Sequence, residues 1–153
     1  MKNIFKILLS ILSLTFLTSC KSRKPFIAKT PLEGKALVYI YFPESLSMSE
    51  DYTFSVFTLY IDSKRVQGVI KSREYLSFNL QPKETTFKIV RNDIEEEDVT
   101  LMLNQGDIYY LKIEDNLDQD RFDFYRVESE KAQNEITNKC RSHSHENIYF
   151  QEN

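Results

Sequence analysis

The fold is decided by one seven-residue stretch, ALVYIYF, at residues 36–42. Its β-branched and aromatic side chains favour an extended strand, and Pro43 ends that strand because proline has no amide hydrogen to offer a neighbouring strand. Successive side chains of a strand point to opposite faces, and here both faces are apolar. The stretch therefore predicts a strand with neighbours packed against both of its faces.

Shorter apolar alternations follow this strand, each bounded by residues that break strands. They predict strands at residues 52–62, 65–71, 74–80, 85–91, 99–103, 108–113 and 121–127. A turn is predicted at Asp62-Ser63-Lys64, and a shift in the alternation between Val56 and Phe57 indicates a bulge or a bend. Seven or eight strands at this spacing predict a mainly β fold, a single antiparallel β-sandwich.

The period of the apolar residues lengthens only in residues 128–139. Ala132, Ile136 and Cys140 fall four residues apart, which places them on one narrow stripe of a helix. Acidic residues come first and basic residues last, as the helix dipole favours. We predict a short C-terminal helix that closes one edge or end of the sandwich, and a helix that binds a partner is the alternative.

Lys2 and Lys6 precede an 11-residue apolar run at positions 7–17, which is too short to cross about 30 Å of hydrocarbon. At the end of this run stand Leu17, Thr18, Ser19 and Cys20, and these four residues resemble the lipobox of a bacterial lipoprotein signal. The resemblance implies that Cys20 is the first mature residue and carries lipid on its sulfur. An ordinary exported thiol at Cys20 is the alternative.

These features predict four segments. Residues 1–19 form the lipoprotein signal peptide, 20–34 the lipidated cysteine with a flexible basic tether, 35–140 the β-sandwich domain with its helix, and 141–153 a polar tail. Two or three acyl chains hold a protein durably on a membrane that it does not span. Because Lys21 is not the aspartate that resembles an inner-membrane retention signal, we predict an outer-membrane location that faces the periplasm.

Composition narrows the classes of partner and chemistry. The 134 residues after the leader form one domain with a formal charge of −5, which argues against a nucleic-acid partner. A lipidated Cys20 leaves Cys140 without an intrachain disulfide partner. We predict that Cys140 is an unpaired structural thiol, and intermolecular pairing is the alternative.

The sequence lacks the usual arrangements of catalytic residues. Its two histidines, His143 and His145, lie in the polar tail, and its three isolated glycines form no phosphate-binding loop. We predict no enzyme activity and no cofactor. Cys140, His143 and His145 are weak candidates for a zinc or copper site, since they offer suitable ligand atoms but lack a fourth ligand.

Two acidic groups offer carboxylates that calcium prefers, but the first is better explained as a solvated loop and the second has the wrong register for a calcium loop. The first is Asp93 with residues 95–98, and the second runs from Asp115 to Asp123, with Arg121 where a calcium loop needs glycine. Six strand tyrosines leave two interpretations open, namely a sheet face that binds a protein, glycan or peptidoglycan fragment, or packing within the core. They are Tyr39, Tyr41, Tyr60, Tyr75, Tyr109 and Tyr110.

Several strand and turn residues recur in an order that resembles a known family. They are residues 36–41, Pro43, Asp62-Ser63-Lys64, Gly68, Tyr75, Pro82, Gly106 and Tyr109-Tyr110. The family consists of small bacterial lipoproteins that carry the domain of unknown function numbered twenty-eight forty-six. The resemblance implies a compact β-sandwich behind a lipobox, with no established activity. The chain departs from the family at Ser63, Lys83 and Thr85, where glycine, glycine and histidine are usual.

The predicted function is that of a lipid-anchored cell-envelope protein acting as a non-catalytic binding or interaction module. Its partners would be the membrane, through the N-terminal lipid, and an envelope protein or a glycan. The alternatives are a lipoprotein that binds a small ligand or a metal, and a purely structural envelope protein.

Overall fold

A computed structural model describes residues 25–43, 55–91, 95–116 and 121–141. Within these ranges the chain forms nine strands and one helix. They are β1 (Ala36–Phe42), β2 (Val56–Ile61), β3 (Lys64–Arg65), β4 (Ile70–Lys71), β5 (Glu74–Leu80), β6 (Glu84–Arg91), β7 (Glu95–Met102), β8 (Ile108–Asn116), β9 (Arg121–Val127) and α1 (Ser129–Lys139).

The strands form two sheets, which confirms the predicted β-sandwich. Sheet A has the order β5-β1-β8-β9, and sheet B has the order β3-β2-β6-β7, with β4 also paired to β2. The pairings are antiparallel except between β1 and β8, which run parallel with Leu37 opposite Ile108 and Tyr41 opposite Lys112. The sandwich is thus antiparallel apart from one central pair.

Strand β1 lies in the interior of the protein, as its sequence predicts. All seven of its residues are buried. Val38 and Ile40 belong to the core between the sheets, whereas Tyr39 and Tyr41 belong to a second apolar cluster on the other side of sheet A. The strand is therefore covered on both faces because the protein has two apolar layers.

The main core lies between the two sheets. Phe57, Leu59 and Ile61 of β2 enter it together, on the face that the alternation predicts. The Phe57 ring packs edge-on against Phe42 and Phe122, at centroid distances of 5.2 and 5.0 Å. Edge-to-face pairs of this kind add about 0.5–1.5 kcal/mol to the burial of their surface.

The predicted C-terminal helix is present, but it covers a face of the sandwich rather than an edge or an end. Ala132 and Ile136 are buried in the second cluster, and Cys140, just after the helix, joins them. Leu37, Tyr39 and Tyr41 of β1 and Tyr110 of β8 form an apolar surface on the outer face of sheet A, and the narrow stripe of α1 docks on it.

The N-terminal segment also packs on sheet A, from Phe26 onward. Phe26 contacts the rings of Tyr39 and Tyr75 edge-on, at 5.1 and 5.4 Å. Three backbone amides of the segment donate to side chains of the domain: Phe26 to Thr137 Oγ1 at 3.0 Å, Lys29 to Tyr39 Oη at 2.8 Å, and Leu32 to Asn79 Oδ1 at 2.9 Å. Residues 26–32 are therefore part of the domain, although we predicted a flexible tether there.

Two further predictions need correction. The strand predicted at 65–71 is divided into β3 and β4, because Gly68 between them has a positive φ of 92°. The acidic residues 95–98, predicted to be a loop, belong to β7 at the exposed edge of sheet B, while Asp93 lies outside the described residues. Charged side chains are a common protection for a sheet edge.

Candidate functional site

Most of the strand tyrosines are buried within the protein. Tyr39, Tyr41 and Tyr110 are at most 1% exposed, and Tyr109 lies in the main core. Tyr39 stacks on Tyr110 at 5.4 Å beneath α1 and the N-terminal segment. The structure therefore supports packing within the protein for Tyr39, Tyr41 and Tyr109, whereas Tyr110 also lines a groove beside α1. Tyr60 and Tyr75 are half-buried.

A network of charged groups joins α1 to sheet A. The Lys112 side chain is 5% exposed, and its Nζ donates to Glu114 Oε1 at 3.0 Å and to Glu135 Oε1 at 3.3 Å. Tyr41 Oη donates to the other oxygen of Glu135 at 2.8 Å, and Tyr125 Oη donates to the other oxygen of Glu114. The ammonium group is thus held between a helix carboxylate and a strand carboxylate.

Lys112, Glu114 and Tyr41 are held in their ordinary neutral-pH forms. Burial alone would lower the pKa of Lys112, but its hydrogen bond to Glu114 and the charges of Glu135 and Glu114 raise it. The hydrogen bond from Tyr125 lowers the pKa of Glu114, and burial raises the pKa of Tyr41. None of these groups is shifted toward neutrality, where a general acid or base works best.

Cys140 is a free, buried thiol, as predicted. Its Sγ lies 4.0 Å from the carbonyl oxygen of Phe42, and burial raises its pKa to about 12. Because the thiolate is the form that attacks substrates and binds metals, this environment suits neither role. His143 and His145 lie outside the described residues. In the described ranges, no three His, Cys, Asp or Glu side chains are grouped as a metal site requires.

The second acidic group predicted from the sequence is divided between different partners. Asp115 is buried and pairs with Arg91 at 3.1 Å, whereas Asp123 pairs with Arg121 at 3.0 Å on the surface. Asp118 and Asp120 lie outside the described residues. The described members of this group are thus engaged in ion pairs.

A half-open groove of about 570 Å³ lies where β8 and β9 meet the start of α1. Its lining combines apolar, hydroxyl and charged groups: Ile108, Tyr110, Arg126, Val127, Glu128 and Ser129. Arg126, Glu128 and Ser129 are exposed, whereas Tyr110 and Val127 are buried. The guanidinium carbon of Arg126 lies 5.1 Å from the centroid of the Tyr109 ring, which places that group on the main-core face of sheet A and not on the face that carries Tyr110 and α1.

Polar groups of β8 and α1 meet at this groove. The Tyr110 hydroxyl is buried and makes no hydrogen bond of ordinary geometry within the described chain, although the Ser129 and Gln133 side chains lie close enough to oppose the rise in its pKa that burial causes. Gln133 Nε2 donates instead to Ser129 Oγ at 2.9 Å. The N-cap residue Glu128 forms no side-chain cap, so the first amides of α1 have no capping side chain.

The sequence did not reveal this groove. Its residues come from β8, from the end of β9 and from the first turn of α1, and only the fold brings these three places together. Residues 126–129 carry a signal in the sequence. Here the alternation of apolar residues typical of a strand gives way to the four-residue spacing typical of a helix, and the side chains at this junction include charged and hydroxyl groups. Polar groups at such a junction line a concave site only if the helix folds back on the sheet.

No protein-family model matches this chain, and no curated protein matches it either. The signal segment 1–19, the lipobox residues Leu17, Thr18 and Ser19, and Cys20 lie outside the described residues. No helix in the described ranges is long and apolar enough to span a membrane. The lipid anchor and the family resemblance therefore stay predictions.

Proposed function

We propose that this protein is a lipid-anchored protein of the cell envelope that binds a ligand, without catalysis, in the groove at the start of α1. The observation that carries the proposal is the groove beside α1, which brings Tyr110, Glu128 and Ser129 together and beneath which the buried Tyr110 hydroxyl makes no hydrogen bond of ordinary geometry. A buried hydroxyl without a partner costs about 1–3 kcal/mol, so a ligand that bonds to it recovers part of that cost.

The chemistry of the groove favours a neutral, polar ligand. Glu128 places a carboxylate on it, and Tyr110 and Ser129 offer hydroxyl groups, whereas the guanidinium of Arg126 lies over the Tyr109 ring on the other face of sheet A. The Glu128 carboxylate disfavours a strongly anionic ligand. The hydroxyl groups of a sugar can donate to Glu128 and exchange hydrogen bonds with Ser129. We therefore favour a sugar unit of an envelope glycan, and the groove volume lies within the ordinary range for ligand sites.

The protonation states support binding rather than catalysis. Lys112 is held as an ammonium and Cys140 as a neutral thiol, so neither group is available at neutral pH as a base or a nucleophile. The described residues include no histidine. A metal-binding role has no support among them, and a purely structural role is the outcome if the groove binds nothing.

The sequence supports the location. The apolar leader and the Leu17–Cys20 pattern resemble a lipoprotein signal, and a lipid on Cys20 would attach the protein to the outer membrane on its periplasmic side. The strand and turn residues quoted above, which resemble the family numbered twenty-eight forty-six, agree with this location. The membrane and an envelope glycan or protein are thus the proposed partners.

Ligand binding is tested by titrating the full chain in detergent micelles with a peptidoglycan disaccharide, using calorimetry. We expect Tyr110→Phe to weaken binding by about 2–10-fold, since one hydrogen bond contributes about 0.5–1.5 kcal/mol. The matched control is Arg121→Ala, an exposed arginine of β9 outside the groove, which should bind like the unaltered protein. Equal binding by the unaltered chain and Tyr110→Phe, or none by either, contradicts the proposed sugar site.

Anchoring is tested separately by labelling cells with tritiated palmitate. The unaltered chain should take up the label and sediment with outer membranes, whereas Cys20→Ser should do neither. In-cell crosslinking of the same two forms then identifies any envelope protein that only the anchored form captures. Label in both forms, or in neither, would refute the assignment of Cys20.

A further inference from the structure

We propose that the domain rests on the lipid bilayer through one particular flank, the N-terminal segment 26–32 beside α1, which we call the segment flank. This inference depends on the lipid anchor at Cys20 that is proposed above. It adds a bilayer-contacting surface and a fixed orientation, which an anchor alone does not supply.

The first step is that the segment is fastened to the domain at three places. Its amides at Phe26, Lys29 and Leu32 each donate a hydrogen bond of 2.8 to 3.0 Å to a side chain of the domain. The Phe26 ring also packs between Tyr39 and Tyr75. The chain is therefore fastened to the domain from Phe26 onward and not only from residue 35.

The second step is the length of the remaining link. Cys20 and Phe26 are six residues apart, so the link spans at most about 22 Å even when fully extended. The attachment point at Phe26 is therefore held close to the bilayer.

The third step compares that reach with the thickness of the protein. The segment and α1 form one layer, and sheet A and sheet B form the next two, with successive layers about 10 Å apart. Sheet B thus lies about 20 Å from the segment, and its outward side chains lie farther still. If the outer side of sheet B faced the bilayer, the link from Cys20 to Phe26 would have to be almost fully extended. If the segment flank faces the bilayer, the link can be much shorter than its full length.

The surface chemistry of the flank suits a bilayer. Ile27 is 80% exposed and Leu32 is 62% exposed, although the backbone around both is fixed. Lys29 is exposed between them, and Lys139 and Arg141 lie at the end of α1 to which Phe26 is bonded. Each basic residue close to an anionic surface contributes about 1 kcal/mol of attraction.

Charge on the opposite side supports the same orientation. Glu95, Glu96, Glu97 and Asp98 are exposed on β7, at an edge of sheet B, and among the described residues only the first two pair with basic residues of β6. An anionic membrane repels this edge and attracts the basic flank, so the two ends of the protein act together. The groove lies on the β9 side of sheet A, three strand spacings or about 14 Å across from β5, and stays open in this orientation.

The test uses the full lipidated chain in vesicles of phosphatidylethanolamine and phosphatidylglycerol. A fluorescent label is placed at Ile27→Cys on the flank, or at Glu97→Cys on the exposed edge of sheet B as the control. The buried thiol of Cys140, with a pKa raised to about 12, leaves the introduced cysteine as the reactive one. Lipids that carry a spin label near the head group quench fluorophores close to the surface.

We expect quenching to be several-fold stronger at position 27 than at position 97. Leu32→Asp should reduce quenching at position 27 several-fold, because it adds a charge to the apolar surface, whereas Val69→Asp should leave it unchanged. Val69 is the matched control, an apolar residue 41% exposed outside the flank. Equal quenching at both labels in protein that floats with the vesicles overturns the orientation and leaves the anchor intact. Failure of the full chain to float refutes the anchor and the orientation together.

Discussion

Two carboxylates bonded to one lysine provide a sharp test of how α1 is held on sheet A. Glu135 and Glu114 both accept hydrogen bonds from Lys112 Nζ, but their side chains are 13% and 49% exposed. The same substitution, glutamate to glutamine, can therefore be made in a buried and in a half-exposed position of one network. We expect Glu135→Gln to destabilise the protein much more than Glu114→Gln.

The expected magnitudes follow from the burial of the three groups. Removing one partner of a buried ion pair costs about 3–5 kcal/mol when the remaining charge is left alone. Here Lys112 keeps Glu114, and the new amide still accepts a hydrogen bond from Tyr41, so we expect about 2 kcal/mol for Glu135→Gln. For the half-exposed Glu114→Gln we expect about 0.5 kcal/mol, as for surface ion pairs.

The free energy of unfolding is measured in urea at neutral pH for each variant. The nine tyrosines report on unfolding through their fluorescence, since the chain has no tryptophan. In a Lys112→Met background, Glu135→Gln should cost less than it does alone, because the pair that it disrupts is already absent. Equal losses for the two glutamine variants, or the same cost of Glu135→Gln in both backgrounds, would refute this account of the network.

Four further outcomes are expected. The Cys140 thiol should resist alkylation at pH 8 until urea is added. Because its pKa of about 12 in the folded protein exceeds the ordinary 9.0, the free energy of unfolding should fall as the pH rises from 9 to 12. The fall should be less steep in Cys140→Ala. Ser63, at a φ of 64° in a two-residue hairpin loop, should give about 0.5–1 kcal/mol of added stability as Ser63→Gly but none as Ser63→Ala. Tyr110→Phe should leave stability unchanged or raise it by about 1 kcal/mol in urea unfolding, and a clear loss would show that the hydroxyl has a partner. Phe26→Ala should speed hydrogen exchange of the amides at residues 26–32 but not those of β6, and unchanged exchange would show that the ring does not hold the segment.

The parts of the fold that the sequence predicts are those with a local cause. Strand β1 is recognised from its own composition, and its burial on both faces follows from the apolar residues at every position. The stripe of Ala132, Ile136 and Cys140 likewise predicts α1 from four-residue spacing alone. Neither prediction depends on which other elements β1 or α1 packs against.

Residues 26–32 could not be predicted because their partners are distant in the chain. The segment contains lysine and proline and has no period, so its composition is that of a linker. The rings that receive Phe26 belong to β1 and β5, and the hydroxyl that accepts from its amide belongs to α1. Only the assembled outer face of sheet A creates the place where this ring packs.

Strand β7 shows the opposite error, in which tertiary pairing overrides local preference. Consecutive acidic residues disfavour a strand, yet Glu95 and Glu96 pair with β6 opposite Arg91 and Val90. Glu96 accepts a hydrogen bond from Lys88 at 2.9 Å, and Glu95 pairs with Arg91. Basic residues of the neighbouring strand thus offset the repulsion that the acidic run alone would suggest.

The candidate site was predicted only in part. The sequence indicated a binding module rich in tyrosine and an unpaired Cys140, and the structure places that thiol in the interior. It did not indicate which tyrosine lacks a partner, since that depends on the geometry between β8 and α1. Local patterns identify residues that can bond, whereas unsatisfied groups are a property of the whole fold.

The parallel pairing of β1 with β8 has a consequence for how the protein folds. Because Leu37 of β1 lies opposite Ile108 of β8, one neighbour of the most apolar strand comes from a distant part of the chain. Sheet B draws its strands from the middle of the chain and can form earlier, whereas sheet A closes only after β8 and β9 are available. Long-range contacts of this kind slow folding to about the millisecond-to-second range. Until then only β5 pairs with ALVYIYF, and the other edge of this uncharged, strongly β-forming segment stays open to pairing with another chain, which is a risk of aggregation.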